Sequence, residues 1–337
     1  MIEHNKDITI LTTFHVPAIV EQYCKVNSID EACNAVLKAK ESAKNLRILG
    51  GGSNILFTQN SDAFLLHTNI KGMSIENNGE YSLLTVNAGE DWHSLVEYCV
   101  NNSLGGIENL ALIPGKVGAA PIQNIGAYGV EIADVLHSVT VLDLTSLEVY
   151  TLTNSECKFG YRDSIFKHSL SGAVLIVSVT LSLTNSNHKI NVSYKDVALE
   201  LELNSIEKPT IADVFTAVVA IRTRKLPNPT VLGNAGSFFK NPIISRHSLL
   251  QIQKRYPNIP TYPYDADSVK VAAAFLIETV GMKGYKIGDV GTHIHQPLVL
   301  VNYGNGTGKE ILDLSKLIIE KVYNEFGITL QTEVNIW

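Results

Sequence analysis

Three observations predict an α+β fold for this chain. Short alternating apolar runs dominate its middle. Helical apolar spacing appears in separate stretches and does not alternate regularly with strands. The first glycine cluster, Gly50-Gly51-Gly52, lies between two strand-like runs with no helix opening after it. The G-x-G-x-x-G spacing of a doubly wound dinucleotide fold is therefore absent.

The elements follow in order. Ile29 to Lys44 has helical spacing, with Asp30 as the expected N-cap. Leu46 to Leu49 is a short strand that enters the glycine turn, and Ile55 to Phe57 is the next. Strands are expected at Ser82–Val86, Val139–Leu144, Val149–Leu152 and Val174–Leu183, with helices at Trp92–Asn101 and Ile211–Lys225. Two further helices are expected at Ser268–Val280 and Lys309–Phe326, with an apolar strand, Leu298–Asn302, between them. Thr329 to Trp337 alternates like a strand. This reads as three sub-domains, 1–70, 71–226 and 227–326, with the last strand, 327–337, returning to the first.

Composition excludes several classes. The 337 residues are 45% hydrophobic and 18% charged, with a net charge of -6, the balance of a globular enzyme. Lys and Arg are scattered, which argues against nucleic-acid binding. Cys24, Cys33, Cys99 and Cys157 form no C-x-x-C pair and no zinc spacing, so free thiols in a reducing cytoplasm are expected and no metal site. The polar N-terminus is no signal peptide, and the apolar run Ala173–Leu183 is too short to span a bilayer.

Four segments carry chemistry. Gly50-Gly51-Gly52-Ser53-Asn54 is either a plain β-turn or an anion nest of bare N–H groups. Leu112 to Gly129 packs four glycines and two prolines into a nearly uncharged stretch, as a ligand cradle or a buried crossover would. Gln123 and Asn124 offer amides there. Phe159 to Lys167 sets Arg162 beside Tyr161 and Asp163, for an anion or for an ion pair. Gly233 to Pro242 presents one hydroxyl, Ser237, before two aromatic rings and a lysine. Glu333 is a lone carboxylate on an apolar strand, which is costly unless it has a partner or a task. Gly304 to Lys309 is one residue short of a P-loop and reads as a turn capping the next helix. His293 and His295 share a strand face without a third ligand.

Together these segments resemble the UDP-N-acetylenolpyruvoylglucosamine reductase family, also called UDP-N-acetylmuramate dehydrogenases, along essentially the whole chain. Tyr194 and the full third domain look like its longer subtype, in which a tyrosine loop closes over substrate. The resemblance implies a two-domain fold of the vanillyl-alcohol-oxidase type holding FAD non-covalently, plus a third domain over the substrate. No His or Cys lies in Gly50–Asn54 or Asn109–Gly129, which counts against covalent flavin and against a sugar or alcohol oxidase of that superfamily. NADPH is the implied donor, sharing the substrate's cleft in a ping-pong sequence.

By motif, Ser237 is the implied proton donor, and Arg162 and Glu333 the pair that stabilises an enolate intermediate. Glu333 would act best as a neutral hydrogen-bond donor, a role that calls for a raised pKa. The implied flavin contacts are Gly50, Gly51, Gly52, Ser53, Asn54, Ile113, Pro114, Gly118, Ala119, Ala120, Ile122, Gln123, Asn124, Gly126, Gly129 and Arg222. The implied substrate contacts are Tyr161, Tyr194, Lys225, Asn241, Tyr262, Lys283 and Gln296, with Lys225, Tyr262 and Lys283 toward the diphosphate. Gly51 and Pro297 depart from the family's usual residues. A cytoplasmic monomer acting on a small nucleotide sugar, without nucleic-acid or membrane partners, completes the expectation.

Overall fold

The computed structural model describes all 337 residues. They divide into two compact units. The first comprises 1–6, 20–52 and 62–224, and the second 7–19, 53–61 and 225–337.

The first unit has two main sheets. A four-stranded sheet runs Ile2–Asp7, Ile19–Val26, Ser61–Thr68, Leu46–Leu49. Its last two strands are parallel, with Leu49 opposite His67. The helix Ile29–Glu41 buries Ala32, Ala35, Val36 and Ala39, one face at helical spacing. Its N-cap is Ser28, not Asp30: the Ser28 hydroxyl accepts from the Glu31 N–H at 3.1 Å. Ser28 is extended, as a cap must be, whereas Asp30 already lies inside the first turn.

The second sheet is antiparallel, in the order Val149–Thr153, Leu136–Asp143, Val174–Thr184, Tyr81–Asn87, Met73–Asn78. Its central strand is buried on both faces. Leu175 and Val177 join the core under the helix Ile29–Glu41. Val174, Ile176, Val179, Leu181 and Leu183 join a larger core around Trp92 and Leu95. A strand covered on both faces is apolar almost throughout, which is why this run could be mistaken for the start of a membrane span. No helix of the protein is long and apolar enough to cross a membrane.

The second unit has its own core, around Phe14, Phe238, Phe239, Leu300, Ile311 and Ile318. Its main sheet runs Gly233–Ser237, Val299–Asn302, Val290–Thr292, Lys286–Ile287. The helix Gly308–Phe326 starts with a capping box in which Thr307 and Glu310 exchange bonds, the turn expected at Gly304–Lys309. A smaller sheet runs Ile243–Ser245, Ser268–Val271, Thr261–Pro263.

Several boundaries differ from expectation. Ser268–Val280 is not one helix but a strand, Ser268–Val271, followed by a helix, Ala273–Thr279. Val269 and Val271 are buried while Ser268 and Lys270 are half-buried, so the pattern there has period two. The end of the chain is less regular than one strand. Thr332 bridges Phe239, and only Asn335–Ile336 forms a strand, parallel to Ile55–Leu56. The helices Lys195–Leu203 and Arg246–Gln253 had no sequence expectation.

Candidate active site

The first unit holds a glycine-lined, cationic group of residues. Its backbone is held in uncommon conformations: Leu112, Asn124, Tyr128 and Arg162 all have positive φ, between 46° and 57°. Such residues persist only where surrounding contacts enforce them, and they concentrate at functional sites.

Two loops meet at Gly51. A Cβ there would lie 2.9 Å from the Gly115 Cα, so nothing larger than glycine fits without moving backbone. Gly50 and Gly52 flank it, and Gly52 has φ 62°. Pro114 is exposed, with Ile113 and Gly115 half-buried beside it. Gly118 donates its N–H to the Ala88 carbonyl at 3.0 Å and packs on Ala88, with Ala119 and Ala120 completing the turn. Ile122 is exposed, and its carbonyl accepts from the Ser164 hydroxyl at 2.6 Å. Gln123 is half-buried.

Asn124 corrects one expectation. Its side-chain amide is not offered outward. Nδ2 donates to Glu131 Oε2 at 2.6 Å and to the Gly160 carbonyl at 3.0 Å, and Oδ1 accepts from the Ala133 N–H at 3.1 Å. A buried amide with every group paired shapes the loop. Any contact to a ligand comes from its main chain.

Arg162 sits at a tight turn closed by bonds between Gly160 and Asp163. Its Nη2 donates to the Gly126 carbonyl at 2.6 Å and its Nη1 to the Asn124 carbonyl at 3.4 Å. The guanidinium lies 5.8 Å from the Tyr161 ring centre. Asp163 pairs with His168 at 2.7 Å, and that contact lowers the Asp163 pKa against the opposing effect of burial.

Gly126–Ala127 and Val130–Glu131 form a tiny hairpin. Its two turn residues, Tyr128 and Gly129, both have positive φ, as a type I′ turn requires. The Tyr128 ring meets Tyr194 edge-on at 5.2 Å. The Tyr194 segment is tied down by Asn191, whose Nδ2 donates to the Gly129 carbonyl at 2.9 Å. Asn109 bonds the Tyr128 and Asn191 carbonyls, each at 3.0 Å. Arg222 donates from Nε to the Leu112 carbonyl at 3.3 Å and bonds the Tyr128 hydroxyl. Burial lowers the Arg222 pKa, the nearby Arg162 charge adds to that, and Tyr128 opposes it. Burial likewise raises the Tyr128 pKa, countered by Arg222.

The second unit, taken by itself, holds Ser237 and Glu333. The strand Gly233–Ser237 pairs Asn234 with Val301 and Ser237 with Val299, so two residues on one side face one on the other. This is a β-bulge, with Gly236 at φ 69°. The bulge re-aims Ser237, which is half-buried. Asn234 fixes the bulge: its Oδ1 accepts from the Gly236 N–H at 2.9 Å, and its Nδ2 bonds the Leu232 carbonyl at 2.8 Å. Phe238 and Phe239 are fully buried just beyond.

The chain end runs beside this strand. The Glu333 N–H donates to the Phe238 carbonyl at 2.8 Å, and the Lys240 N–H to the Gln331 carbonyl at 3.0 Å. Asn54 Nδ2 donates to the Glu333 carbonyl at 3.2 Å, and the Asn54 carbonyl accepts from the Asn335 N–H at 3.0 Å. Ser53 and Asn54 therefore belong to the second unit, while Gly50 to Gly52 belong to the first.

The expected substrate contacts of the second unit are dispersed. Gln296 lies in the hairpin after Val290–Thr292, and its Oε1 is buried with no hydrogen-bond partner, as is His293 Nδ1. The orphaned Gln296 oxygen is an acceptor that suits a ligand donor. Asn241 Oδ1 already accepts from the Ala273 N–H at 3.0 Å, at the start of a helix. Lys283 pairs with Glu278 at 2.8 Å on the surface, and Tyr262 is 41% exposed. Lys225 ends the helix Ile211–Lys225. The four cysteines are free, and burial pushes the Cys99 and Cys157 thiols up to about 12 and about 11. The His293 and His295 rings stand 5.7 Å apart, and burial and its neighbour lower the His293 pKa. Sequence reading missed Tyr128, although the Tyr-Gly pair marks a turn, and it missed His93 and Asn191, which carry no local signal.

The first unit's donor set fits a flat, anionic cofactor. Bare main chain lies where a Cβ would collide, and a cationic side chain, Arg222, anchors the segment. Comparison with known proteins agrees. A family model described as "FAD binding domain" matches residues 20–151. One described as "UDP-N-acetylenolpyruvoylglucosamine reductase, C-terminal domain" matches residues 228–337. The reductase of that name from Flavobacterium johnsoniae is 46% identical over 336 residues, 99% of each chain. That from Amoebophilus asiaticus is 43% identical over 343 residues, again 99% of each. The crystal structure of the Thermus caldophilus enzyme has the same fold, with TM-score 0.69 over 100% of this chain and 99% of that one, at 23% identity.

Proposed function

The chain belongs to the UDP-N-acetylenolpyruvoylglucosamine reductase family, and on that premise we propose how its own residues divide the reaction. It is an FAD-dependent oxidoreductase that reduces the enolpyruvyl group of UDP-N-acetylglucosamine enolpyruvate, giving the peptidoglycan precursor UDP-N-acetylmuramate. NADPH is the electron donor. FAD, held by the main chain of residues 50–54 and 113–129 and by Arg222, would supply the hydride chemistry for reduction at C3 of the enolpyruvyl group.

Hydride addition at C3 leaves an electron pair at C2, delocalised into the carboxylate as an enolate. Arg162 meets that negative charge with a guanidinium oriented by the Gly126 and Asn124 carbonyls. Glu333 assists as a hydrogen-bond donor in its neutral form. Ser237 gives its proton to C2, completing the C–H bond, and regains one through onward relay. The single observation behind these roles is the bulge that re-aims Ser237 while Glu333 is bonded to the next residue's carbonyl.

In this reading Gly50 to Asn54, the main chain of Ile113 to Gly129, and Arg222 hold FAD. Tyr161, Tyr194, Lys225, Asn241, Tyr262, Lys283 and Gln296 serve the nucleotide sugar, with Gln296 supported best by its orphaned acceptor. Asn241 and Lys283 would exchange their present partners on binding. The Tyr128–Tyr194 contact supports assignment to the longer subtype with a tyrosine loop. Two separate cores within the first unit support a division into three parts. We place the protein in the cytoplasm as a monomer.

Anaerobic visible absorbance tests the scheme. The flavin band should bleach with NADPH and return with the enolpyruvyl nucleotide. A band that returns only with O₂ would remove the substrate assignment and leave the cofactor.

A further inference from the structure

Leu112 opens the segment assigned to the flavin, and it is held left-handed, at φ 57°. A leucine has no intrinsic reason to be there, since its Cβ crowds the following carbonyl. Both of its main-chain polar groups are gripped by side chains from distant helices. Its N–H donates to His93 Nδ1 at 3.1 Å. Its carbonyl accepts from Arg222 Nε at 3.3 Å. His93 lies on the helix Trp92–Asn101, and its ring stacks on Phe215 with centres 5.8 Å apart and planes inclined by 13°. Phe215 and Arg222 share the helix Ile211–Lys225. The imidazole is thus fixed in plane by Phe215, with one nitrogen used as an acceptor.

We propose that His93 is a positioning residue for the flavin-binding segment: its Nδ1 accepts the Leu112 N–H and, with Arg222, holds the turn that presents Ile113 and Pro114. The inference rests on the reading that residues 112–129 bind FAD. His93 touches neither substrate nor the reacting atoms. It sets which way the main chain leaves Ala111. An acceptor is required at this position, so the ring must carry its proton on Nε2 or a substitute must bring an oxygen to the same point.

Two substitutions separate the acceptor from the ring. His93→Phe keeps a ring for Phe215 and removes the acceptor. His93→Asn removes most of the ring and places an amide oxygen near the Nδ1 position. Apoprotein is titrated with FAD, and affinity and the visible flavin spectrum are read together. His93→Phe should bind FAD roughly ten-fold more weakly, the effect of one unsatisfied buried group, and shift the flavin band. His93→Asn should match the wild type in both. A third variant guards against misfolding. His93→Gln carries its amide one bond too far, so it should behave like the Phe variant and not like the Asn variant. Equal affinity for Phe and wild type, or equal losses for Phe and Asn, would overturn the proposal. Hydrogen exchange of the wild-type protein with and without FAD tests the underlying reading separately. Protection of 112–129 by FAD sustains it, and no protection there would remove it whatever the variants do.

Discussion

The Glu333 N–H donates to the Phe238 carbonyl at 2.8 Å, which ties the chain's last segment to the residue after Ser237. The bond joins residues 95 positions apart. It sets a carboxylate-bearing residue and a hydroxyl-bearing residue on adjoining stretches of backbone. The bulge before Ser237 turns that hydroxyl, and the fully buried Phe238 and Phe239 anchor the strand beyond it. Deleting the last few residues would thus remove both a proposed catalytic group and a support of the Ser237 strand.

Ser237→Ala should separate the two half-reactions. Flavin reduction by NADPH needs no proton from Ser237 and should keep its wild-type rate. Reoxidation by the enolpyruvyl nucleotide should slow by about 10²–10⁴, the usual worth of a positioned proton donor. Anaerobic stopped-flow absorbance reads both steps on one sample. Equal losses in the two steps would show that the hydroxyl binds and does not protonate.

Arg162→Lys preserves the charge and removes the planar fork. Two guanidinium nitrogens now reach two carbonyls, those of Gly126 and Asn124, and a single ammonium cannot reproduce that orientation. The reoxidation step should fall by about 10²–10³, in line with loss of a preorganised oxyanion donor. FAD affinity should change little. A variant with normal reoxidation would take Arg162 out of the mechanism.

The sequence made some of this legible and hid the rest for identifiable reasons. The helix Gly308–Phe326 is readable because Thr307 and Glu310 announce its start and Gly327 its end. The helix Lys195–Leu203 is not, because Ala-Leu-Glu-Leu-Glu-Leu alternates with period two and its first turn has no side-chain cap. The strand Ser268–Val271 merged with the helix after it because both are apolar and no glycine or proline separates them. Ser237 stood out as the lone hydroxyl of a small-residue run, yet the bulge that aims it comes from pairing with Val299 and Val301, far along the chain. His93 could not be found at all, since its partner is a main-chain N–H on another loop. The Asn124 amide, expected to face a ligand, serves the loop's own interior.

Gly233→Ala tests how tightly the Ser237 strand is seated. A Cβ at residue 233 would lie 2.4 Å from the Phe14 carbonyl oxygen, an approach that side chains do not make. Asn302 Nδ2 bonds that same carbonyl at 3.0 Å, so the strand cannot shift without losing the bond. The substitution should cost about 1–3 kcal/mol, the range for overpacking. Urea unfolding followed by fluorescence gives the value. No loss of stability would mean that the segment around Phe14 yields easily.

His67 gives the protein a pH-sensitive support beneath its first glycine turn. The Tyr23 hydroxyl and His67 Nδ1 lie 2.7 Å apart, and His67 also forms a hydrogen bond with the Gly50 backbone. Burial lowers the His67 pKa from 6.5 to about 4, Lys25 and Lys116 push the same way, and the Gly50 bond opposes them. Burial pushes the Tyr23 hydroxyl up to about 12, so it remains a donor. The neutral imidazole is therefore the folded form at pH 7. As pH falls from 6.5 toward 4, the unfolded chain binds a proton at His67 that the folded chain refuses, and stability declines across that window. His67→Gln has no such proton to bind. Its melting temperature should fall less than the wild type's between pH 7 and pH 5, and parallel declines in the two proteins would place the acid sensitivity elsewhere.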